Sequence, residues 1–354
     1  MKKVLQKTML LLLVLCLGAC GARTQAVSGT SAGEEETKMR RFEETWLDLF
    51  DTVTVVKGYA KDKETFDAEA SNIYDRLLYC YRLFDIYESY EGINNLKSVN
   101  DNAGVAPVAV DAEILSLLKF GKEIYEASGG TADITLGAVL SVWHEARLTG
   151  MEHPAEAYVP EEALLLEAKT HTGWELLEID EAKGTVFLTD PEASLDVGAI
   201  AKGYAAEYAM KDAPEGYLLS LGGNVRTKGM RSDGTPWVVG VQNPEAPDSG
   251  SLFSIYATDC SVVTSGDYQR YYTVDGVNYH HLIDPDSCMP AAYWRGVTVL
   301  CKDSGVADAL STALFLMELE EGQALAARYD AEAAWIAADG STVFTEGFEA
   351  LIRQ

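Results

Sequence analysis

Asp308 and Thr312 stand four residues apart in the run VADALSTALFLM, so a helix there sets a carboxylate and a hydroxyl on one face, one turn apart. Mg2+ accepts oxygen donors of this kind, with phosphate and water completing its shell. The competing reading makes Asp308 a first-turn charge favoured by the helix dipole. A second group surrounds a glycine-punctuated bend: Asp196 and Lys202 flank Gly198, and Gly203 opens an Ala-rich helix. Backbone N–H groups at a helix start beside one cation form a phosphate site, although close helix packing would use the same glycines. The third group is His280–His281 with Asp284. Neighbouring strand residues face opposite ways, so one imidazole at most enters a given pocket. An aspartate holding that imidazole would make a general base. Asp133, in SGGTAD, either caps its own turn or holds a ligand hydroxyl. No H-E-x-x-H or Walker pattern accompanies these groups.

The elements that must position them read as strands in pairs with helices between. Thr52 to Val56 alternate as a strand, and Ile73, Leu77, Leu78, Tyr81 and Phe84 mark an amphipathic helix over 64–88. Asp111 is a plausible N-cap for a helix to about Ala127, with Ile114, Leu117, Leu118 and Ile124 inward. WELLEID and TVFLTD form a hairpin about Lys183-Gly184. Residues 236–241, 252–258 and GVTVLCKDS read as strands, and 261–290 as strand, turn and hairpin ahead of a loop opening at Asp284-Pro285. The pattern predicts an α+β fold with a mixed or antiparallel sheet.

The N-terminus predicts export. MKKVLQKTML is basic, and Met9 to Leu17 is apolar but shorter than the roughly 20 residues a spanning helix needs. Leu17-Gly18-Ala19-Cys20 resembles a lipobox, in which Cys20 takes the lipid; in an ordinary signal peptide Cys20 is incidental. The expected divisions are a signal peptide over 1–19, a tether over 20–41, poor in large apolar residues, and a catalytic domain over 42–354. A net charge of −27 argues against nucleic acid and against a polybasic grip on anionic lipid. An anionic substrate would need local cations, which gives Lys202 and Arg270 weight. Cys80, Cys260, Cys288 and Cys301 are widely spaced and suggest neither zinc nor a redox pair; a disulfide is open, its partners unspecified.

Several of these stretches together resemble the ApbE-like FAD:protein FMN transferases. LDVGAIAKGYAAEYA, SLGGNVRTKG, SGGTADITLGAVLSVW, TSGDYQRYYTVDGVNYHHLIDPDSCMP and VADALSTALFLM match the family's motifs across roughly residues 45–320. The resemblance implies a T-fold-related single catalytic domain that binds FAD with Mg2+ on its pyrophosphate. It implies transfer of FMN to a threonine hydroxyl of an acceptor protein, with loss of AMP. That acceptor would belong to a membrane electron-transfer complex facing the extracytoplasmic side of the cell membrane. By resemblance Asp308, Thr312 and the carbonyl of Ala199 would hold the metal. Asp196, Lys202 and Thr131, Ala132 and Asp133 would hold FAD. Phe50, Tyr87, Asn100 and Ile283 would lie near the flavin or adenosine, and His281 would assist proton removal, with Asp284 beside it. Departures occur at Phe50-Asp51-Thr52 (the family's Met-Gly-Thr), at Ala132 (usually aromatic) and at Asp284-Pro285-Asp286-Ser287-Cys288 (the family's Asp-Pro-x-Thr-Gly). Two other functions use the same residues: hydrolysis of FAD to FMN and AMP, and flavin binding without catalysis.

Overall fold

The computed structural model describes residues 38–246 and 250–354. The signal peptide and Cys20 lie outside them. Strand β1 (Arg40–Leu49) begins inside the stretch expected to be tether, and pairs antiparallel with β2 (Thr52–Ala60). Phe42, Glu44 and Trp46 alternate with more exposed neighbours, the signature of a half-covered strand that the acidic composition obscures. The turn between the two strands puts Phe50 and Asp51 at φ 53° and 50°.

Helix α1 (Lys63–Phe84) is capped by the Asp62 carboxylate and ends at Phe84, four residues before the expected end. Asp85 ends it by accepting the N–H groups of Tyr87 and Glu88. There follow α2 (Leu96–Asp101), β3 (Val108–Ala109), α3 (Ala112–Ala127), capped by Asp111 as expected, and α4 (Gly137–Glu152). After α5 (Glu162–Lys169), the hairpin β4 (Leu177–Asp180) and β5 (Thr185–Leu188) joins β3 in a small sheet. Helix α6 (Ala201–Met210) leads into β6 (Tyr217–Leu221), β7 (Asn224–Lys228) and the hairpin β8 (Trp237–Gln242) with β9 (Ser251–Ala257). The chain continues through β10 (Ser261–Gly266), the hairpin β11 (Tyr271–Val274) and β12 (Val277–His280), and β13 (Gly296–Cys301). It closes with α7 (Ser304–Phe315), α8 (Leu319–Arg328), β14 (Glu332–Ile336), β15 (Thr342–Phe344) and α9 (Glu346–Ala350).

The main sheet has the order β1-β2-β6-β7-β10-β13-β14-β15, antiparallel throughout. Strand alternation sends successive side chains to opposite faces. Leu219, Val263, Val297 and Ala333 therefore meet α1, α3, α6 and α7, while Leu218, Val262 and Ala334 meet β8, β9 and Phe348 of α9. A third apolar cluster joins Val139, Trp143 and Ala146 of α4 to Tyr272 of β11 and to Ile283 and Cys288. Cys80, Cys260, Cys288 and Cys301 are buried free thiols, so the cysteines serve packing. Among the described residues no helix is long and apolar enough to cross a membrane.

Candidate functional site

The site is assembled where α6 meets α7. Gly203 is in the first turn of α6, whose N-terminal N–H groups lack helical partners. Its N–H donates to Asp308 Oδ2 at 2.7 Å instead of to the carbonyl of Ala199, four residues back. A Cβ built on Gly203 would lie 2.2 Å from the Ser304 carbonyl oxygen and 2.3 Å from Asp308 Cβ, so only glycine permits this approach. The brace continues through Glu207, whose carboxylate accepts Ser304 N–H and the Arg226 guanidinium, both at 2.9 Å.

The consequence is a cluster of oxygen atoms. Asp308 is only 4% exposed, yet its Oδ1 has no hydrogen bond among the described residues. Among the described residues the Ala199 carbonyl has no backbone donor. Thr312 Oγ1 lies on the next turn of α7, 3.5 Å from Ser265 Oγ of β10. These are hard donors, one of them charged. Among the described residues no three His, Cys, Asp or Glu side chains converge as a metal cage. A cation here would thus rest on one carboxylate, neutral oxygens and its substrate, the habit of Mg2+ with phosphates. The residues present fit that ion.

Lys202 neighbours this cluster, and its charge acts on His281 together with those of Arg270 and Arg147. The two adjacent histidines separate cleanly. His280 is buried: its Nε2 meets the Ala291 carbonyl at 2.9 Å and its Nδ1 accepts Leu282 N–H at 3.2 Å, a neutral and satisfied structural imidazole. His281 Nδ1 is buried with no partner among the described residues, while its backbone N–H donates to the Arg270 carbonyl at 3.1 Å. Desolvation first, and then Arg270 and Arg147, hold its pKa well below the ordinary imidazole value.

Asp284 does not orient His281, contrary to expectation. Its Oδ1 accepts the N–H groups of Asp286 and Ser287, both at 2.8 Å, and the Ser287 hydroxyl at 3.1 Å. A carboxylate followed by a tight turn closes on that turn's own donors. Cys288, standing where the family has glycine, ends this loop at φ 57°. Asp51 does the same in the β1–β2 turn at φ 50°. Both glycine-replacing departures thus fall on left-handed backbone, which costs side chains other than glycine about 1–3 kcal/mol.

Asn100 is a brace: its amide donates to the Leu195 carbonyl at 3.0 Å and accepts Leu195 N–H at 2.9 Å, fixing the chain beside Asp196. Asp196 N–H donates to Ile134 O, joining the bend to the 131–136 turn, and its carboxylate accepts Gly198 N–H at 2.8 Å. Within that turn Asp133 caps Thr135 through both N–H and hydroxyl, and burial raises its pKa. Thr131 donates to the Ser128 carbonyl, and Ala132 is buried. Phe50 packs on Tyr81, with ring centroids 5.3 Å apart, and Ile283 is buried against α4. Tyr87 is 55% exposed and stacks on His144 at 5.1 Å. Sequence reading missed His144 and Arg147, whose only signal was a basic pair at helical spacing in an acidic chain. Two cavities of about 490 and 560 Å3 lie elsewhere, one between β1 and α1 and one beside Gly216 and Met230.

Residues 50–336 match the model of the ApbE family. The chain is 32% identical over 271 residues to a FAD:protein FMN transferase of Vibrio cholerae, covering 75% of this chain and 77% of the relative. It is 30% identical over 338 residues to a FAD:protein FMN transferase of Treponema pallidum, covering 89% and 86%. Its fold superposes on the ApbE protein of Thermotoga maritima with a TM-score of 0.76 at 28% identity, over 89% of this chain and 100% of that one. The flavin transferase ApbE of Vibrio cholerae gives 0.73 at 26%, over 89% and 100%. The chain belongs to the ApbE family.

The α6–α7 contact makes a direct prediction. Gly203→Ala forces the helices apart at Ser304 and Asp308, and overpacking of this kind costs about 1–3 kcal/mol. Thermal melts should show that loss; a variant with unchanged Tm would mean the contact is loose.

Proposed function

We propose that this ApbE-family chain is a Mg2+-dependent enzyme that moves the FMN part of FAD onto a threonine hydroxyl of an acceptor protein and releases AMP. The observation that supports it best is the Gly203–Asp308 hydrogen bond. It brings the glycine bend suited to a diphosphate against a carboxylate with one open oxygen. The threonine Oγ attacks the phosphorus next to riboflavin, and an O–P ester bond forms as the anhydride O–P bond breaks. The bonding electron pair leaves with AMP, and the threonine proton passes to His281. Ala199, Asp308 and Thr312 would hold Mg2+, which supplies charge neutralisation at the diphosphate oxygens. Lys202 adds a fixed positive charge there, where a −27 chain otherwise repels the substrate. The acceptor fits a subunit of a membrane electron-transfer complex, a reading that rests on family resemblance.

A neutral imidazole is the form that accepts a proton, and the depressed pKa of His281 keeps it neutral at ordinary pH. The charged form appears only as pH falls through that lowered value. Activity limited by His281 should therefore persist well below about pH 6.5, where an ordinary histidine would be half-protonated. In the same window the unfolded chain takes up a proton that the folded site refuses, so stability declines as pH drops. A transfer-rate profile with its acidic limb at 6.5 or above would remove His281 from this role.

Asp308→Ala would strand the buried Gly203 N–H at a cost of about 1–3 kcal/mol, so it mixes folding with chemistry. Asp308→Asn keeps an oxygen for that N–H while removing the charge. With FAD, Mg2+ and a threonine-bearing acceptor domain, wild type should give a fluorescent acceptor band in a denaturing gel. Asp308→Asn should lower the rate by about a hundredfold or more with little change in Tm. Equal losses of Tm and activity would make Asp308 structural. AMP release at the full rate without acceptor would identify a hydrolase, and FAD left intact with Mg2+ a flavin-binding protein.

We also infer that the enzyme is exported and held at the outer face of the cell membrane through lipid on Cys20, on the strength of the basic start, the short apolar run and Leu17-Gly18-Ala19-Cys20. Cys20→Ser should move the protein from the detergent phase to the aqueous phase in a phase-separation assay. Unchanged partition would remove the anchor from Cys20.

A further inference from the structure

Arg147 belongs to none of the motifs, yet its surroundings are those of an anion contact. It lies on α4, half-buried, and among the described residues no carboxylate approaches within 4 Å. Its Nη2 donates to His144 Nδ1 at 3.0 Å, one helical turn back. His144 stacks on the exposed Tyr87 with an interplanar angle of 26°. Guanidinium, imidazole and phenol thus form one continuous wall.

The tertiary packing brings a second guanidinium to this wall. Gly150, one turn beyond Arg147, sits on Tyr272 of β11; a Cβ there would lie 2.5 Å from the ring. Tyr272 is anchored by its hydroxyl, which donates to the Tyr158 carbonyl at 2.8 Å. Arg270, exposed in the bend just before β11, precedes Tyr272 by two residues. Arg270 also holds His281 through its carbonyl. The charges of Arg147 and Arg270 act on each other, and both act on Tyr87, His144 and His281. Asp196 is the acid whose charge also reaches Arg147, but it makes no ion pair with it. Two guanidiniums brought together, neither of them ion-paired among the described residues, repel. Phosphate oxygens between them turn that repulsion into a bidentate grip.

We propose that Arg147 and Arg270 clamp the diphosphate of the dinucleotide from the α4–β11 side, opposite Lys202 and the oxygen cluster of α6 and α7. Arg147 is the positioning residue particular to this assignment, held in place by the wall of His144 and Tyr87. The assignment rests on the FAD reading above. It implies that part of the charge exposed as the anhydride bond breaks is met by guanidinium and not by the metal alone.

The test compares the full chain with Arg147→Gln and Arg147→Lys. FAD and riboflavin are titrated by flavin fluorescence, in EDTA and in Mg2+, over a series of KCl concentrations. A lost charge-assisted contact to phosphate should weaken FAD binding about tenfold or more in Arg147→Gln. Riboflavin binding should stay within twofold, the salt dependence of FAD binding should flatten, and Arg147→Lys should recover part of the loss. Equal weakening of FAD and riboflavin would overturn the assignment, since Arg147 would then only prop the aromatic wall. Unchanged FAD affinity and salt dependence would overturn it as well. A wild-type chain that binds neither flavin would overturn the transferase reading itself, and the clamp with it.

Discussion

One hydrogen bond, from Gly203 N–H to Asp308, sets the geometry on which the site depends. It exists because α6 has a glycine in its first turn where α7 presents a buried carboxylate, and because no side chain fits between them. The bond takes one carboxylate oxygen and withholds the Gly203 N–H from Ala199. A carbonyl in the turn before α6 and a carboxylate oxygen on α7 are thereby left with capacity to spare. Thr312 joins them by helical spacing alone. The sheet contributes from below: β10 carries Ser265 to Thr312, and Arg226 of β7 ties Glu207 to the start of α7.

The second constraint is electrostatic. The chain carries −27 charges, so an anionic dinucleotide approaches against a repulsive field. In the proposed site, local cations would answer it. Lys202 stands on the helix that bears the glycine bend, and Arg147 and Arg270 stand on the third apolar cluster, built by α4 and the β11–β12 hairpin. The charges of all three act on His281. The same positive surroundings that would attract phosphate keep the imidazole unprotonated. In the proposed reaction, substrate binding and proton acceptance would draw on a single arrangement of charge.

Much of this was legible in the sequence wherever chemistry depends on local spacing. Asp308 and Thr312 share a helical face whatever the rest of the chain does, and Asp111 caps α3 where it was expected. An α+β architecture with a mixed or antiparallel sheet follows from the paired β-rich runs. Roles set by distant contacts were not legible. Asn100 braces Leu195, and no feature near Asn100 announces that partner. Arg147 gains its meaning from Gly150 meeting Tyr272, a contact between separate elements. Asp284 was read toward His281, but its nearest donors are those of its own turn. Strand β1 is hard to read in the sequence because charged residues fall on both of its faces, Glu44 among the inner ones, and its inner face is only half-covered.

The central claim is that one divalent cation joins the oxygens of α6 and α7 to the substrate diphosphate. Crystals grown with FAD and Mn2+, an anomalously scattering stand-in for Mg2+, test it most directly. The account predicts an anomalous peak at coordination distance, about 2.1 Å for Mg2+, from Ala199 O, Asp308 Oδ1, Thr312 Oγ1 and a diphosphate oxygen. A peak away from these atoms, or FAD bound with its diphosphate far from them, would contradict it.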